Sequence, residues 1–121
     1  MKVLASFGKQ AQNTVPQLMD LMDDKDDDVF LSAAEAVWSI DRRPEVFPPF
    51  VRGLKAKTAN NRVRAANNLG NMGAGAKPAV SELVAACKDR DSSVRREAYR
   101  ALSLVDYETA RKLGDPEADG K

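Results

Sequence analysis

The feature that most constrains this chain is a pattern of small and apolar residues that occurs three times, with a period of 32 to 33 residues. Ala33, Ala65 and Ala98 mark one position of this pattern in the three copies. Apolar residues lie 15 positions before each alanine (Leu18, Phe50, Leu83) and 4 positions after it (Val37, Leu69, Leu102). A fixed period of this length is typical of an array of repeated supersecondary units. Because such arrays usually present extended binding surfaces, we expect a binding protein.

Each copy reads as a hairpin of two helices, A and B. In the third copy, apolar residues follow helical spacing over two stretches. Helix A3 carries Val80, Leu83, Val84 and Cys87, and helix B3 carries Val94, Ala98, Ala101, Leu102 and Val105. Asp91 or Ser92 is predicted to cap B3, since either side chain accepts hydrogen bonds from unpaired N–H groups.

The other two copies give the same two stretches. Helix A1 carries Val15, Leu18, Leu21 and Met22, and the core stripe of helix B1 is Val29, Ala33, Ala36, Val37 and Ile40. Asp26 or Asp27 is predicted to cap B1. In the second copy, Pro44, Pro48 and Pro49 delay helix A2, because proline is tolerated only in a first turn. Its apolar residues are Phe47, Phe50, Val51 and Leu54, and Thr58 is the predicted cap of helix B2, with Ala65, Ala66, Leu69 and Met72 as its stripe.

These hairpins predict an all-α, right-handed α-solenoid with about three full units. The units cover residues 9–41, 42–73 and 74–106, and partial units cover residues 1–8 and 107–113. Residues 1–113 thus form one repeat domain. Residues 114–121 are polar and interrupted by proline, and we expect them to be a disordered tail.

Three segments resemble the short HEAT repeat of the phycobilisome-lyase type: Asp89 to Leu102, Arg64 to Gly73, and Val15-Pro16-Gln17-Leu18. The resemblance covers roughly residues 1–106 and implies a HEAT-like solenoid. It also implies that a turn aspartate and an arginine six residues later bond across the turn and between repeats. Only the third copy has both, Asp89 and Arg95. Phe30 takes the arginine position in the first copy, and a cross-repeat Asp24–Arg62 pair would restore part of the ladder.

The resemblance further implies that the B helices line a concave binding face. The predicted contact residues are Arg64, Asn67, Asn71, Arg96 and Arg100. Arginine and amide donors in this arrangement suit an acidic or extended peptide of a protein partner. The competing interpretation is a solvated helix face with pairs four residues apart.

Three other functions stay open. Incomplete units at both ends favour self-association into a homo-dimer or larger oligomer. Arginines and lysines on the second and third copies (Arg62, Arg64, Arg95, Arg96, Arg100, Lys55, Lys57) suit nucleic-acid phosphates. The sequence argues against nucleic-acid binding, because no aromatic residues interleave with the arginines to stack on bases. An accessory role in chromophore attachment follows from the name of the resembled repeat type alone.

Composition argues against an enzyme. The chain has no histidine and one cysteine, Cys87, which falls on a predicted core stripe. We therefore expect no catalytic residues, no metal and no cofactor. The aspartates between residues 23 and 28 lack the spacing of an EF-hand loop and are better explained as helix caps. No strand precedes Gly70, Gly73 and Gly75, and their spacing does not match the G-x-G-x-x-G pattern of a phosphate loop. They are expected to end helix B2.

Charge and hydropathy exclude further classes. The net charge is +1, which gives no overall field toward nucleic acid or membranes. No apolar run approaches the roughly 20 residues of a spanning helix, so we expect no membrane association and a cytoplasmic protein. Trp38 and Tyr99 replace small residues of the other copies, and each is either packing between units or an interface anchor.

Overall fold

The computed structural model describes residues 15–42 and 44–117, and this part of the chain is all-α. Its helices are α1 (Val15–Leu21), α2 (Asp27–Asp41), α3 (Phe47–Gly53), α4 (Ala59–Met72), α5 (Val80–Ala86), α6 (Ser92–Val105) and α7 (Tyr107–Leu113). Short 3-10 segments cover Pro44–Val46 and Gly73–Ala79. The predicted succession of A and B helices is confirmed in all three copies. The predicted partial unit at residues 1–8 and the start of the first unit lie outside the described residues.

The three B helices begin at side-chain caps. Oxygens of Asp26, Thr58 and Asp91 accept hydrogen bonds from backbone N–H groups within the first turns of α2, α4 and α6, respectively. Each cap satisfies donors that the helix itself leaves without a partner. The caps of α2 and α6 are thus Asp26 and Asp91, and not their neighbours Asp27 and Ser92.

The contacts divide the chain between Pro49 and Phe50 into two compact units. In the N-terminal unit α1 packs on α2, and Val15 and Met22 are buried. The predicted stripe of α2 is only partly right. Ala33 and Val37 are buried, and so are residues outside the stripe (Phe30, Leu31 and Ala34). Three stripe residues are instead half-buried (Val29, Ala36 and Ile40).

The burial of Phe30 and Leu31 follows from their large apolar side chains and not from their positions in the repeat. In the other copies their positions hold arginine or valine, so the register predicts exposed side chains there. Burying a large apolar side chain is favourable by about 1.5–3 kcal/mol, and this preference outweighs the register.

In the C-terminal unit, α4 and α6 form the most extensive helix contact. Eight of their predicted core residues are buried: Ala65, Ala66, Leu69, Val94, Ala98, Ala101, Leu102 and Val105. Met72, which was also predicted for the stripe of α4, is only half-buried. Gly70 allows the close approach, because a Cβ atom added there would lie 3.0 Å from the Cα of Ala101. Gly73 has φ +59° and ends α4, as predicted, whereas Gly70, predicted to end the helix as well, lies inside it.

A buried ion pair links α4 to the turn before α6. Arg62 donates from Nε to Asp89 Oδ2 at 2.9 Å and from Nη2 to Asp89 Oδ1 at 3.3 Å. Its Nη1 donates to the carbonyl oxygens of Ala56 and Lys57 at 2.9 and 3.1 Å. Asp89, rather than the expected Asp24, is therefore the partner of Arg62, because the turn of the next repeat lies beside its guanidinium.

The segment after α7 differs from the predicted disordered tail in its first residues. Gly114 has φ +81° and ends α7. Beyond it, Glu117 accepts a hydrogen bond from Arg95 Nε, so residues 114–117 return to α6. The rest of the predicted tail, residues 118–121, lies outside the described residues.

Candidate functional site

Three of the five predicted contact residues join in one hydrogen-bond network on α4 and α6. Asn67 Nδ2 donates to Glu97 Oε2 at 3.0 Å, across the two helices. Arg100 donates to the same oxygen from Nε and Nη2, at 3.1 and 2.9 Å. Asn71 Nδ2 extends the network to Asn67 Oδ1 at 3.3 Å. Glu97 thus connects the predicted residues, although the sequence analysis did not select it.

The other two predicted residues lie differently. Arg64 donates from Nη1 to Asn61 Oδ1 at 2.9 Å, on its own helix. Arg96 is exposed on α6, and no hydrogen bond or ion pair of its side chain occurs within the described part of the chain. Arg96 is therefore a cation that a partner can reach without breaking an existing bond.

A groove of about 440 Å³ runs beside the network. It is lined by Arg96, Tyr99, Arg100, Ser103, Leu104 and Asp115. Leu104 is 51% exposed, although it is a large apolar side chain, and Tyr99 is half-buried. Sequence reasoning missed Leu104 and Asp115. The repeat register carried a signal for the first of them, because Leu104 occupies the position that Asn71 holds in the second copy.

We call this surface, formed by Asn67, Asn71, Glu97, Arg100 and the groove, the α4–α6 face. Its hydrogen bonds raise the pKa of Arg100, chiefly through the side chain of Glu97. Pairs within one helix account for Arg100–Glu97 and Asn71–Asn67, as expected for a solvated surface. The Asn67–Glu97 bond between helices is different, because it fixes the amides of one repeat relative to the arginine of the next.

The arginines considered for nucleic acid do not form one patch. Arg62 is buried and bonded to Asp89, and Arg95 bonds to Glu117 and to the Asp89 carbonyl oxygen. Both guanidinium groups hold elements of the fold together. A phosphate would have to displace these bonds, and this cost weakens the cluster as a site for nucleic acid.

The remaining candidates have structural roles. Asp24 Oδ1 accepts from the backbone N–H of Asp26 at 2.8 Å, and Asp26 caps α2. Cys87 is buried, as predicted, and burial together with the nearby Asp115 raises the pKa of its thiol to about 11. The guanidinium of Arg42 lies 5.0 Å from the ring centroid of Trp38. That geometry is a cation–π contact.

Two kinds of feature are absent from the part of the chain that the structure describes. Within residues 15–42 and 44–117, no three His, Cys, Asp or Glu residues are grouped so that they would hold a metal ion. In the same residues, no helix has the length and apolar character needed to cross a membrane.

Comparison with known proteins supports this description of the fold. A family model of HEAT repeats matches residues 47–118, which is more than half of the chain. No curated protein matches the chain. The match concerns HEAT repeats in general, so the resemblance to the phycobilisome-lyase type stays a prediction. HEAT repeats are generally protein-interaction scaffolds and are typically non-catalytic. The repeated helical hairpins and the family match together show that this chain belongs to the HEAT-repeat family.

Proposed function

We propose that this protein is a non-catalytic interaction module that binds an extended, acidic segment of a partner protein on the α4–α6 face. The observation that carries the proposal is the groove beside the network, which combines the unpaired cation of Arg96 with the exposed side chain of Leu104 and the half-buried ring of Tyr99. Of the predicted contacts, the proposal uses Asn67, Asn71, Arg96 and Arg100. The role predicted for Arg64 stays a prediction.

The network supports the proposal because it fixes the polar groups before a partner arrives. Asn67 and Arg100 are both bonded to Glu97. A side chain that is already fixed loses less conformational entropy on binding, and such losses cost about 0.5–1.5 kcal/mol for each mobile side chain. The amide groups also offer a peptide backbone both donors and acceptors.

The groove adds an anchor position for one apolar side chain. Leu104 and Tyr99 line it together with Arg96. Energetically dominant contacts are enriched in aromatic and arginine residues that surround a desolvated pocket. Asp115 lies on the groove as well and repels a carboxylate from its own position. An acidic residue of the partner is therefore expected to face Arg96.

Selection from a displayed library of random extended peptides tests the proposal. We expect the protein to enrich peptides that carry an apolar residue next to one or more acidic residues. Arg96→Glu is expected to weaken their binding at least about tenfold, because a charge-assisted hydrogen bond contributes roughly 1.5–3 kcal/mol. Leu104→Asp is expected to reduce binding similarly.

The matched control is Arg90→Glu, which reverses the charge of an exposed arginine in the turn before α6. This variant should keep the affinity of the wild type at moderate salt. If the selected peptides bind Arg96→Glu and Leu104→Asp as tightly as the wild type, the α4–α6 face is not the binding site.

A further inference from the structure

Two arginines, one in each of two successive repeats, share two kinds of hydrogen bond. Arg62 and Arg95 each donate from Nη1, over 2.9 Å, to the carbonyl oxygen of the residue six positions earlier. Each also donates from Nε to a carboxylate. For Arg62 this carboxylate belongs to Asp89, in the turn of the next repeat, and for Arg95 it belongs to Glu117. Glu117 thus holds the place of a turn aspartate.

The bond to Glu117 is less protected than its counterpart. The side chains of Arg95 and Glu117 are 29% and 28% exposed, against 7% and 13% for Arg62 and Asp89. Helix α7, which leads to Glu117, has a single buried residue, Ala110. A partly exposed ion pair, held by a segment four residues beyond a short helix, is easier to replace than a buried one, so another carboxylate can compete for Arg95.

The first repeat carries a carboxylate, Asp24, in the same turn geometry as Asp89, the residue that Arg62 binds. Asp24 lies 65 positions before Asp89, which is two repeat periods, and the two residues form the same turn. Asp24 Oδ1 accepts from the N–H of Asp26 at 2.8 Å, and Asp89 Oδ1 accepts from the N–H of Asp91 at 2.9 Å. Within the described residues, no arginine or lysine bonds to the Asp24 carboxylate.

Helix α2, which follows Asp24, also carries apolar residues that are less buried than their equivalents in α6. In the third repeat, Val94 and Val105 of α6 are buried, and α6 makes its most extensive helix contact with α4. The equivalent residues of the first repeat, Val29 and Ile40, are only half-buried. There a groove of about 380 Å³ is lined by Leu18, Leu21, Asp28, Val29, Ser32 and Ala33. This shape suits a B helix from a preceding repeat.

We propose that two copies of this chain associate head to tail, with α6 of one copy packing on this groove of the second. Arg95 of the first copy exchanges Glu117 for Asp24 of the second, so that the bonds of Arg62 and Asp89 are repeated between molecules. The charges agree with this pairing. Residues 23–28 of the first repeat carry five aspartates and one lysine, a net charge of −4, and helix α6 carries three arginines and one glutamate (Arg95, Arg96, Arg100 and Glu97), a net charge of +2.

Such a contact joins two different surfaces, and therefore a third copy can add in the same way. Glu117 acts as an internal competitor that keeps the chain monomeric at low concentration. The two proposals are tested separately, because association is read from the oligomeric state of variants at Asp24, Arg95 and Glu117, whereas the peptide test changes Arg96 and Leu104. Both use the groove side of α6, so a bound peptide is expected to compete with a second copy.

Light scattering coupled to size-exclusion chromatography, over a concentration series at low and high salt, tests the proposal. Glu117→Ala removes the competitor and is expected to strengthen association about tenfold, the effect of 1.4 kcal/mol. Adding Asp24→Asn to this variant should return it to a monomer, while the amide oxygen introduced at position 24 still accepts the turn hydrogen bond. The matched control is Glu108→Ala, which breaks the exposed Glu108–Arg111 pair on α7 and should leave association at the wild-type level.

A mixing experiment establishes the polarity of the contact. In the Glu117→Ala background, Asp24→Asn keeps an intact tail and Arg95→Gln keeps an intact head. Each should be monomeric alone, and an equimolar mixture should form dimers and nothing longer. The proposal is overturned if Glu117→Ala stays monomeric throughout, or if Asp24→Asn associates as strongly as its parent. Circular dichroism verifies that Arg95→Gln is folded. If that variant is unfolded, the oligomeric state of Asp24→Asn in the Glu117→Ala background alone tests the proposal.

Discussion

At the scale of single residues, Gly70 and Cys87 show how tightly the C-terminal unit is packed. Gly70 lies inside α4, where glycine is a poor helix former, yet it faces the backbone of Ala101 on α6. Cys87 follows α5 and is buried, so its thiol is held away from water. Gly70 requires a small side chain because α4 and α6 approach each other closely there.

We expect Gly70→Ala to lower the free energy of unfolding by about 1–3 kcal/mol, because overpacking outweighs the better helix propensity of alanine. The added Cβ would lie 3.0 Å from the Cα of Ala101, a backbone atom that cannot move alone. Gly75→Ala is the control, since a Cβ there meets nothing within 4 Å. Urea unfolding of both variants measures the difference, and equal stabilities would contradict the close approach.

The Cys87 thiol gives a prediction about pH. Burial and Asp115 raise its pKa from 9.0 to about 11. Between these two values the folded chain keeps a proton that the unfolded chain has lost, so stability should fall as pH rises from about 9 to about 11. Below pH 9 the thiol should react with iodoacetamide far more slowly than in the urea-unfolded chain. Equal rates in both states would show that Cys87 is accessible.

At the scale of elements, the Arg62–Asp89 pair joins helix α4 to the turn that begins α6. The buried guanidinium of Arg62 donates four hydrogen bonds. Their acceptors lie in the turn before α4 and in the turn before α6. Such a pair fixes the register between two neighbouring repeats, because the planar guanidinium accepts a carboxylate in few orientations.

Arg62→Met should destabilise the chain by about 3 kcal/mol, since it leaves Asp89 and two carbonyl groups without their donor. Asp89→Asn should cost less, and the double variant should cost less than the sum of the two. Thermal or urea unfolding of this cycle measures the coupling. Arg111→Met, which breaks an exposed pair with Glu108, should leave stability unchanged. Strict additivity of the first two changes would show that the pair carries no coupling.

At the scale of the whole molecule, the described helices differ in how firmly they are held. Helices α4 and α6 bury three and five apolar side chains, respectively, whereas α7 buries one and exposes Tyr107 and Leu113. Regions with few buried contacts open most readily. The segment that holds Glu117 is therefore the part of the C-terminal unit that is easiest to detach.

Amide hydrogen exchange should reveal this gradient. We expect the amides of α7 to exchange close to the rate of an unprotected peptide, and those of α4 and α6 to exchange only through global opening. Glu117→Ala should accelerate exchange in α7 and leave α4 unchanged. Mass spectrometry of peptides from the two regions measures both effects. Slow exchange in α7 would show that this helix does not detach. It would therefore also contradict the proposed competition between Glu117 and Asp24 for Arg95.

Much of the fold was predictable because its signals are local. The helices and the turns between them follow from periodic apolar residues and from capping side chains such as Thr58, whose partners lie within three residues. The small residues at Ala65 and Ala98 follow from the repeat itself. For the face on α4 and α6, the register correctly placed Asn67, Asn71 and Arg100 near one another.

The sequence by itself determined the hairpins, their order and the small residues between them, because each depends on spacing along one helix or on a cap a few residues away. Only the tertiary structure decided which charged groups are free. Arg62 and Arg96 are both helix-B arginines in the sequence, yet one is buried against Asp89 and the other is exposed. Their difference depends on which groups the neighbouring repeats bring within hydrogen-bonding distance, and no local pattern encodes those distances.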